Sequence, residues 1–365
     1  PYVVSATGDR AFATVDVEGC SYDTDFAAPW MHAPVAPRSD RCVLVVRWPA
    51  VSYPAVLDPR WSTTGSLALG RVFHVGARLP APRADEYLVV GGSTAYPNTA
   101  SSMTATAELF NGATGVEAWA VTGSLAKARY LHDQFTFGGS VFALGGVVAG
   151  LVDDATVERY DASAGTWTSA PSMARPRYAT RSIVSQGRAY VTGGTGSSAS
   201  KDTADIFDGS AWALSNATMG GRGEHAIARL ANGSVFVTGG VANGQFATNS
   251  ALTSTSMLDA TNASLAWTAG PNLLEARFRH GAHVLADGRV LLFGGVKLDP
   301  TYDYLRTTEI FDPSAGGAGS MTRGPEMATA GEGAESAPLA DGRVLVGSGV
   351  DFTQVYEPTS NRWVC

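Results

Sequence analysis

The fold is decided by residues 283–295, "HVLADGRVLLFGG". An Asp-Gly pair divides two apolar runs, and the second run stops on a glycine doublet. Close relatives of this stretch recur at 182–194 ("SIVSQGRAYVTGG"), at 226–240 ("AIARLANGSVFVTGG") and, with a broken doublet, at 337–349 ("APLADGRVLVGSG"). Asp-Gly and Asn-Gly are residues that tight turns demand, so each stretch reads as strand, turn, strand.

Working outward, the doublets fall at Gly91-Gly92, Gly145-Gly146, Gly193-Gly194, Gly239-Gly240 and Gly294-Gly295, with Gly347 to Gly349 as a degenerate sixth. The hairpin turns before them are Gly138-Gly139, Gln186-Gly187, Asn232-Gly233, Asp287-Gly288 and Asp341-Gly342, expected as two-residue turns with positive φ. After each doublet come a variable loop and a third strand that ends in a turn: "ELFNG", "ERYDA", "DIFDG", "SMLDA", "EIFDP" and "QVYEP". A fourth strand carries Trp119, Trp167, Trp212, Trp267 or Trp363, with Met321 in the place of the missing one. Four antiparallel strands repeated about every 50 residues make the blades of a propeller, whose wedge shape large aromatics fill away from the axis.

Doublet, Tyr-Asp-like corner and Trp, in that order and six times over, resemble the kelch repeat family. The resemblance covers residues 65–365 and implies an all-β propeller of four-stranded antiparallel blades. Residues 1–64 are read as a divergent seventh blade, built from "AFATVDVEG", "CVLVVRW" and "AVLDPRW" with Asp58 and Trp61 at the corner; the alternative is six blades and an N-terminal cap.

The bulk numbers agree with a strand-and-turn protein: 365 residues, 45% hydrophobic, only 16% charged, 42 glycines. A net charge of −7 with no basic run excludes nucleic acid as a partner. No apolar run approaches the roughly 20 residues that span a bilayer, so no membrane insertion is expected. The chain begins at Pro1, as a chain would after removal of a targeting segment, or as a fragment would. Of three cysteines, Cys20 and Cys42 are expected to pair locally, closing a loop worth about 3 kcal/mol, with Cys365 free or bridged to another chain. The sequons at Asn216, Asn232 and Asn262 fit an extracellular or cell-surface glycoprotein.

Two columns run through the repeat. Arg71, Arg129, Arg177, Arg222 and Arg277 precede each first strand, and His74, His132, Thr180, His225 and His280 follow three residues later. The histidines read either as a metal or anion site at the channel mouth or as imidazoles satisfied by neighbouring backbone. Arg129, Arg177, Arg222 and Arg277 share a face with the long loops after the doublets, which carry Tyr96, Phe246, Tyr302 and Tyr304, and arginine beside exposed aromatics marks an interface.

No Ser-His-Asp set and no HExxH motif occurs. A copper-radical oxidase of the galactose-oxidase type needs a Tyr-His pair and a cysteine in the central blades, neither of which is present. A closer enzymatic likeness is to sialic-acid mutarotases, which would use Arg277, Arg279, Glu224 and Glu335 in the mouth. The preferred expectation is a noncatalytic extracellular recognition or assembly module without cofactor, binding a protein, a glycan or neighbouring subunits.

Overall fold

In the computed structural model the described residues are 65–95, 99, 101–112, 118–195, 202–215, 219–244, 250–261, 265–298, 301–333, 335–339, 341–347 and 353–364, together with five strands among the first 64 residues. Six four-stranded antiparallel sheets follow one another in the chain, each in simple up-and-down order. Blade 1 is Val75–Arg78, Glu86–Val90, Ala107–Asn111 and Ala118–Thr122. Blade 5, which contains the diagnostic stretch, is Gly281–Val284, Val290–Phe293, Thr308–Asp312 and Ser320–Arg323. First strands of successive blades, from the first to the sixth, pack side by side.

The second strands of blades 2 to 5 are buried on both faces, which is why "VFVT" and "VLLF" show no polar alternation. Their parity divides two interfaces. Val235 and Val237 pack with Tyr190 and Ile206 of the blade before, while Phe236 packs with Val290, Leu292 and Phe311 of the blade after. Phe236 and Phe311 stack with ring centroids 4.2 Å apart across that second interface. The corner residue of each third strand stands opposite the fourth-strand aromatic, as in Tyr160 with Trp167, Phe207 with Trp212 and Tyr356 with Trp363. Blade 5 keeps the pairing with Phe311 and Met321, so methionine fills the tryptophan's place.

Two expectations need correction. The seventh blade is not formed. The segments at 14–18 and 43–47 do pair as antiparallel strands, but 55–58 joins Tyr2–Ser5, which also pairs with Arg10–Phe12. A blade requires the third strand to lie on the second, and here it lies elsewhere. Residues 1–64 therefore belong to a unit of their own, separate from the six blades of residues 65–364. The hairpin turns also split into two kinds. Gly138-Gly139 and Gln186-Gly187 are two-residue turns with positive φ at both positions. In blade 4, Gly233 N–H donates to the Leu230 carbonyl and Leu230 N–H to that of Ser234, leaving positive φ only at Gly233; blade 5 repeats this around Gly288. The extra residue makes these a bulged turn rather than a two-residue one. Trp61, Cys20, Cys42 and Cys365 lie outside the described residues.

Candidate functional site

The arginine column is built into the blades. Arg129, Arg222 and Arg277 are 0–2% exposed, and Arg71 and Arg177 are buried as well. Arg277 shows the pattern: Nη1 donates to the carbonyls of Gly294 at 2.8 Å and Thr307 at 2.9 Å, and Nη2 to Thr307 Oγ1 and to Glu309 Oε1 at 2.9 Å. Arg129 repeats it with Gly145, Thr156 and Glu158, and Arg71 with Gly91, Thr106 and Glu108. Arg177 meets Gly193, Thr203 and Asp205. The carboxylate also caps backbone N–H groups before the arginine, those of Leu274 and Glu275 in the case of Glu309. Each guanidinium thus ties the first glycine of the doublet to the third strand. Arg129, Arg177, Arg222 and Arg277, expected on a binding face, are instead buried inside their blades and line no exposed surface.

Blades 4 and 6 vary the theme. Arg222 has Ser256 where the others have a carboxylate, and its donors go to the carbonyls of Gly239, Ser254 and Met219. Burial with no opposing charge lowers its pKa to about 10. In blade 6 both members change, since Gly331 takes the arginine's place and Gln354 the acid's, still capping Ala328 N–H at 2.7 Å.

The glycine doublet is an inter-blade clasp. Gly240 N–H donates to the Arg277 carbonyl of the next blade at 2.9 Å, as Gly92 does to Arg129, Gly146 to Arg177 and Gly194 to Arg222. The histidine of the next blade lies against the first glycine, so that a Cβ on Gly239 would collide with the Arg277 carbonyl oxygen and stand 2.9 Å from His280 Cε1. His225 Nε2 lies 2.8 Å from Thr192 Oγ1 and His280 Nε2 lies 2.7 Å from Thr238 Oγ1. His132 has Val90 at the corresponding position and its ring nitrogens find no hydroxyl. Of the column only His74 is exposed. Among the described residues no group of three His, Cys, Asp or Glu side chains is placed to hold a metal ion. The structure brings the histidines onto the clasp rather than onto a shared ligand.

Their burial has a pH consequence. Burial, with Arg129 adding to it, lowers His132 to about 3, and burial lowers His225 and His280 well below the usual value. Each is neutral when folded and takes a proton only on unfolding once pH falls below about 6.5. The unfolded chain then binds more protons, so stability is lost as pH falls from 6.5, by about 2 kcal/mol for His132 at pH 5, with His225 and His280 acting in the same direction. Asp133 in the channel, raised to about 6 by burial, opposes this: below 6 the folded form keeps a proton the unfolded form releases. It offsets only about 1 kcal/mol at pH 5. The urea midpoint is therefore expected to fall between pH 7 and pH 5, and His225→Gln to flatten that slope. A midpoint independent of pH in this range would contradict the assignment.

Between the arginine and histidine columns lies a position that the sequence reading recognised only at Glu224 and Arg279, not as a column. Phe73, Leu131, Ala179, Glu224, Arg279 and Gly333 occupy it in blades 1 to 6, and all have φ between 51° and 62°. Their backbones link blade to blade: Leu131 N–H donates to the Phe73 carbonyl, Ala179 to Leu131, Arg279 to Glu224 and Gly333 to Arg279, the last three at 2.8 Å. This girdle rims the channel mouth. The segment that carries it pairs with residues just after the doublet, as the bridges Tyr130 to Val147 and Phe278 to Val296 show, so the long loops do share the mouth face.

Of the loop aromatics, Tyr302 and Tyr304 are 48% and 50% exposed on the outer strand of a ribbon paired with Val296–Leu298. Tyr96 and Phe246 lie outside the described residues, as do Asn216 and Asn262, while Asn232 is exposed at the hairpin turn before the second strand of blade 4. Arg279 lies between Glu332 at 3.0 Å and Glu224 at 3.4 Å. Burial and the charge of Glu332 raise the Tyr304 phenol, and burial with Asp153, Tyr130 and Glu224 raises that of Tyr178. The mutarotase-like set is therefore only half assembled. Arg279 and Glu224 meet at the rim, Arg277 is inside its blade, and Glu335 lies near Tyr87. Glu332 was not anticipated. The available signal was a freely varying residue inside an otherwise fixed Arg-x-x-His motif.

Glycine clasp, corner aromatic and outer tryptophan recur blade by blade as in kelch-type propellers, and the comparisons with known proteins point the same way. The Kelch motif family model matches residues 135–174, most of blade 2. Kelch-like protein 33 of Homo sapiens is 28% identical over 192 residues, which are 52% of this chain and 32% of that protein, so the chain spans about a third of its length. Among solved structures, that of YjhT superposes with a TM-score of 0.61 over 81% of this chain and 97% of the other, at 13% identity. A fungal alcohol oxidase in complex with copper gives 0.55 over 73% and 56%, at 19% identity. At these identities both show the fold alone.

Proposed function

We propose that the chain is a noncatalytic recognition module that takes a protein partner on the mouth face of the propeller. One observation carries the reading: Tyr302 and Tyr304 stand half exposed beside a rim whose polar side chains are preorganised by Arg279 and its two carboxylates. On the same face Phe73 and Leu151 are 39% and 55% exposed, and Val72 and Val152 are exposed too. Aromatic anchors beside a fixed arginine are what concentrates binding energy in an interface. The kelch architecture supports a protein as the partner. A glycan partner, assembly with further subunits and an extracellular setting are finer readings, for which Asn232 at an exposed turn is the remaining support.

Against an acidic sugar as substrate, Arg279 is already shared by Glu224 and Glu332, which would repel a ligand carboxylate. Mutarotation of acidic sugars, lost on replacing Arg279, would reverse this preference. For the recognition reading, Tyr302→Ala and Tyr304→Ala are each expected to weaken partner binding by about 2 kcal/mol, roughly thirtyfold. The melting temperature should scarcely change, because half of each ring already meets water. Unaltered affinity in both variants would sink the proposal.

A further inference from the structure

The six rim positions sort into two halves. Blades 1 to 3 present Phe73, Leu131 and Ala179, and blades 4 to 6 present Glu224, Arg279 and Gly333, with Glu332 beside the last. The first half continues outward as apolar surface. Phe73 lies 6.4 Å from Tyr130 by ring centroids, Tyr130 bridges Val147, and the exposed Leu151 and Val152 close the ribbon that Val147 opens. The second half is acidic: Arg279 is outnumbered by Glu224 and Glu332, and Asp153 adds its charge at Tyr178 between the halves. Lys297 adds no net charge, because it pairs with Asp303 at 3.0 Å.

We propose that this ring reads a partner segment in which a Lys or Arg side chain adjoins a large apolar one. The inference rests on the recognition reading above and gives it a chemistry. The cation enters between Glu224 and Glu332, where it shares the carboxylates with Arg279, and the apolar side chain covers Phe73 and Leu131. Charge complementarity sets the orientation, since the reverse placement buries a cation on hydrocarbon and leaves two carboxylates facing an apolar group. The girdle makes the rim a reader rather than a flexible surface. Each side chain leaves a backbone held at one left-handed conformation by its neighbours, so its direction is fixed before the partner arrives.

A phage-displayed library of random twelve-residue peptides panned on the full chain tests this, with the selected peptides resynthesised and titrated by fluorescence anisotropy. Enrichment of peptides that pair Lys or Arg with Leu, Ile, Met or Phe is expected. Glu224→Gln and Glu332→Gln should each weaken them about tenfold, Phe73→Ser likewise, and Arg279→Gln should tighten them. Melting temperatures of these variants report whether the fold is intact, most needed for Glu224, whose side chain is only 12% exposed. Acidic peptides that depend on Arg279 would overturn the chemistry and leave the mouth as the binding face. Peptides indifferent to Tyr302→Ala, Tyr304→Ala and all rim variants would overturn both readings. Failure to enrich any sequence class counts against a segment reader.

Discussion

Arg277→Ala should destabilise the propeller by about 3–5 kcal/mol, the largest loss expected from any one side chain. The guanidinium is fully buried with Glu309, which is also fully buried. Removing it strands a carboxylate in the interior and leaves the carbonyls of Gly294 and Thr307 without one of their donors. Arg277→Lys should fail nearly as badly, because a single ammonium cannot span acceptors on two strands that the planar fork reaches together. The other blades supply the controls. Arg222→Ala opposes no carboxylate and strands only neutral oxygens, so about 1–3 kcal/mol is expected. Copying blade 6 into blade 5, Arg277→Gly with Glu309→Gln, should cost less than Arg277→Gly alone. Urea unfolding of the five variants measures the order, and equal losses for Arg277→Ala and Arg222→Ala would refute the role given to the ion pair.

Gly239→Ala is the second large effect. At φ of 56° a side chain costs about 1–3 kcal/mol, and the contact with the Arg277 carbonyl and the His280 ring adds about as much again. A total of about 2–6 kcal/mol is expected. The damage should fall between blades 4 and 5, since the displaced groups belong to blade 5 while the glycine belongs to blade 4. Hydrogen exchange localises it: the amide of Gly240, which donates to Arg277, should lose protection before the strand amides on either side. Protection unchanged at Gly240 would show that the clasp is not where the blades are held.

The blades were legible because their determinants are local. A doublet, a turn residue and a Trp report backbone conformation and period, and neither depends on distant partners. The first 64 residues misled for the same reason. Three strand segments were visible, but Tyr2–Ser5 was not read as a strand, and its place on Ala55–Asp58 is set by pairing across fifty residues, which leaves no local mark. The arginines were found and their destination mistaken. Recurrence at one position says that a residue is needed, and only the positions of Gly294 and Glu309 say that the need is internal. Of the rim only Glu224 and Arg279 were read, because its signature is variation and its left-handed backbone is demanded by a neighbouring blade rather than by the residue itself.

The six blades hold the tie in three conditions: arginine with acid in blades 1, 2, 3 and 5, arginine with serine in blade 4, and neither charge in blade 6. Arranged as a path, these give mutation a direction. A blade can shed its acid first, because the guanidinium then settles on carbonyl oxygens, as in blade 4. It cannot shed the arginine first without abandoning a buried anion. Loss of the acid before the arginine is therefore the less costly order for a blade of this kind, and blade 4 shows that the intermediate state is compatible with the fold.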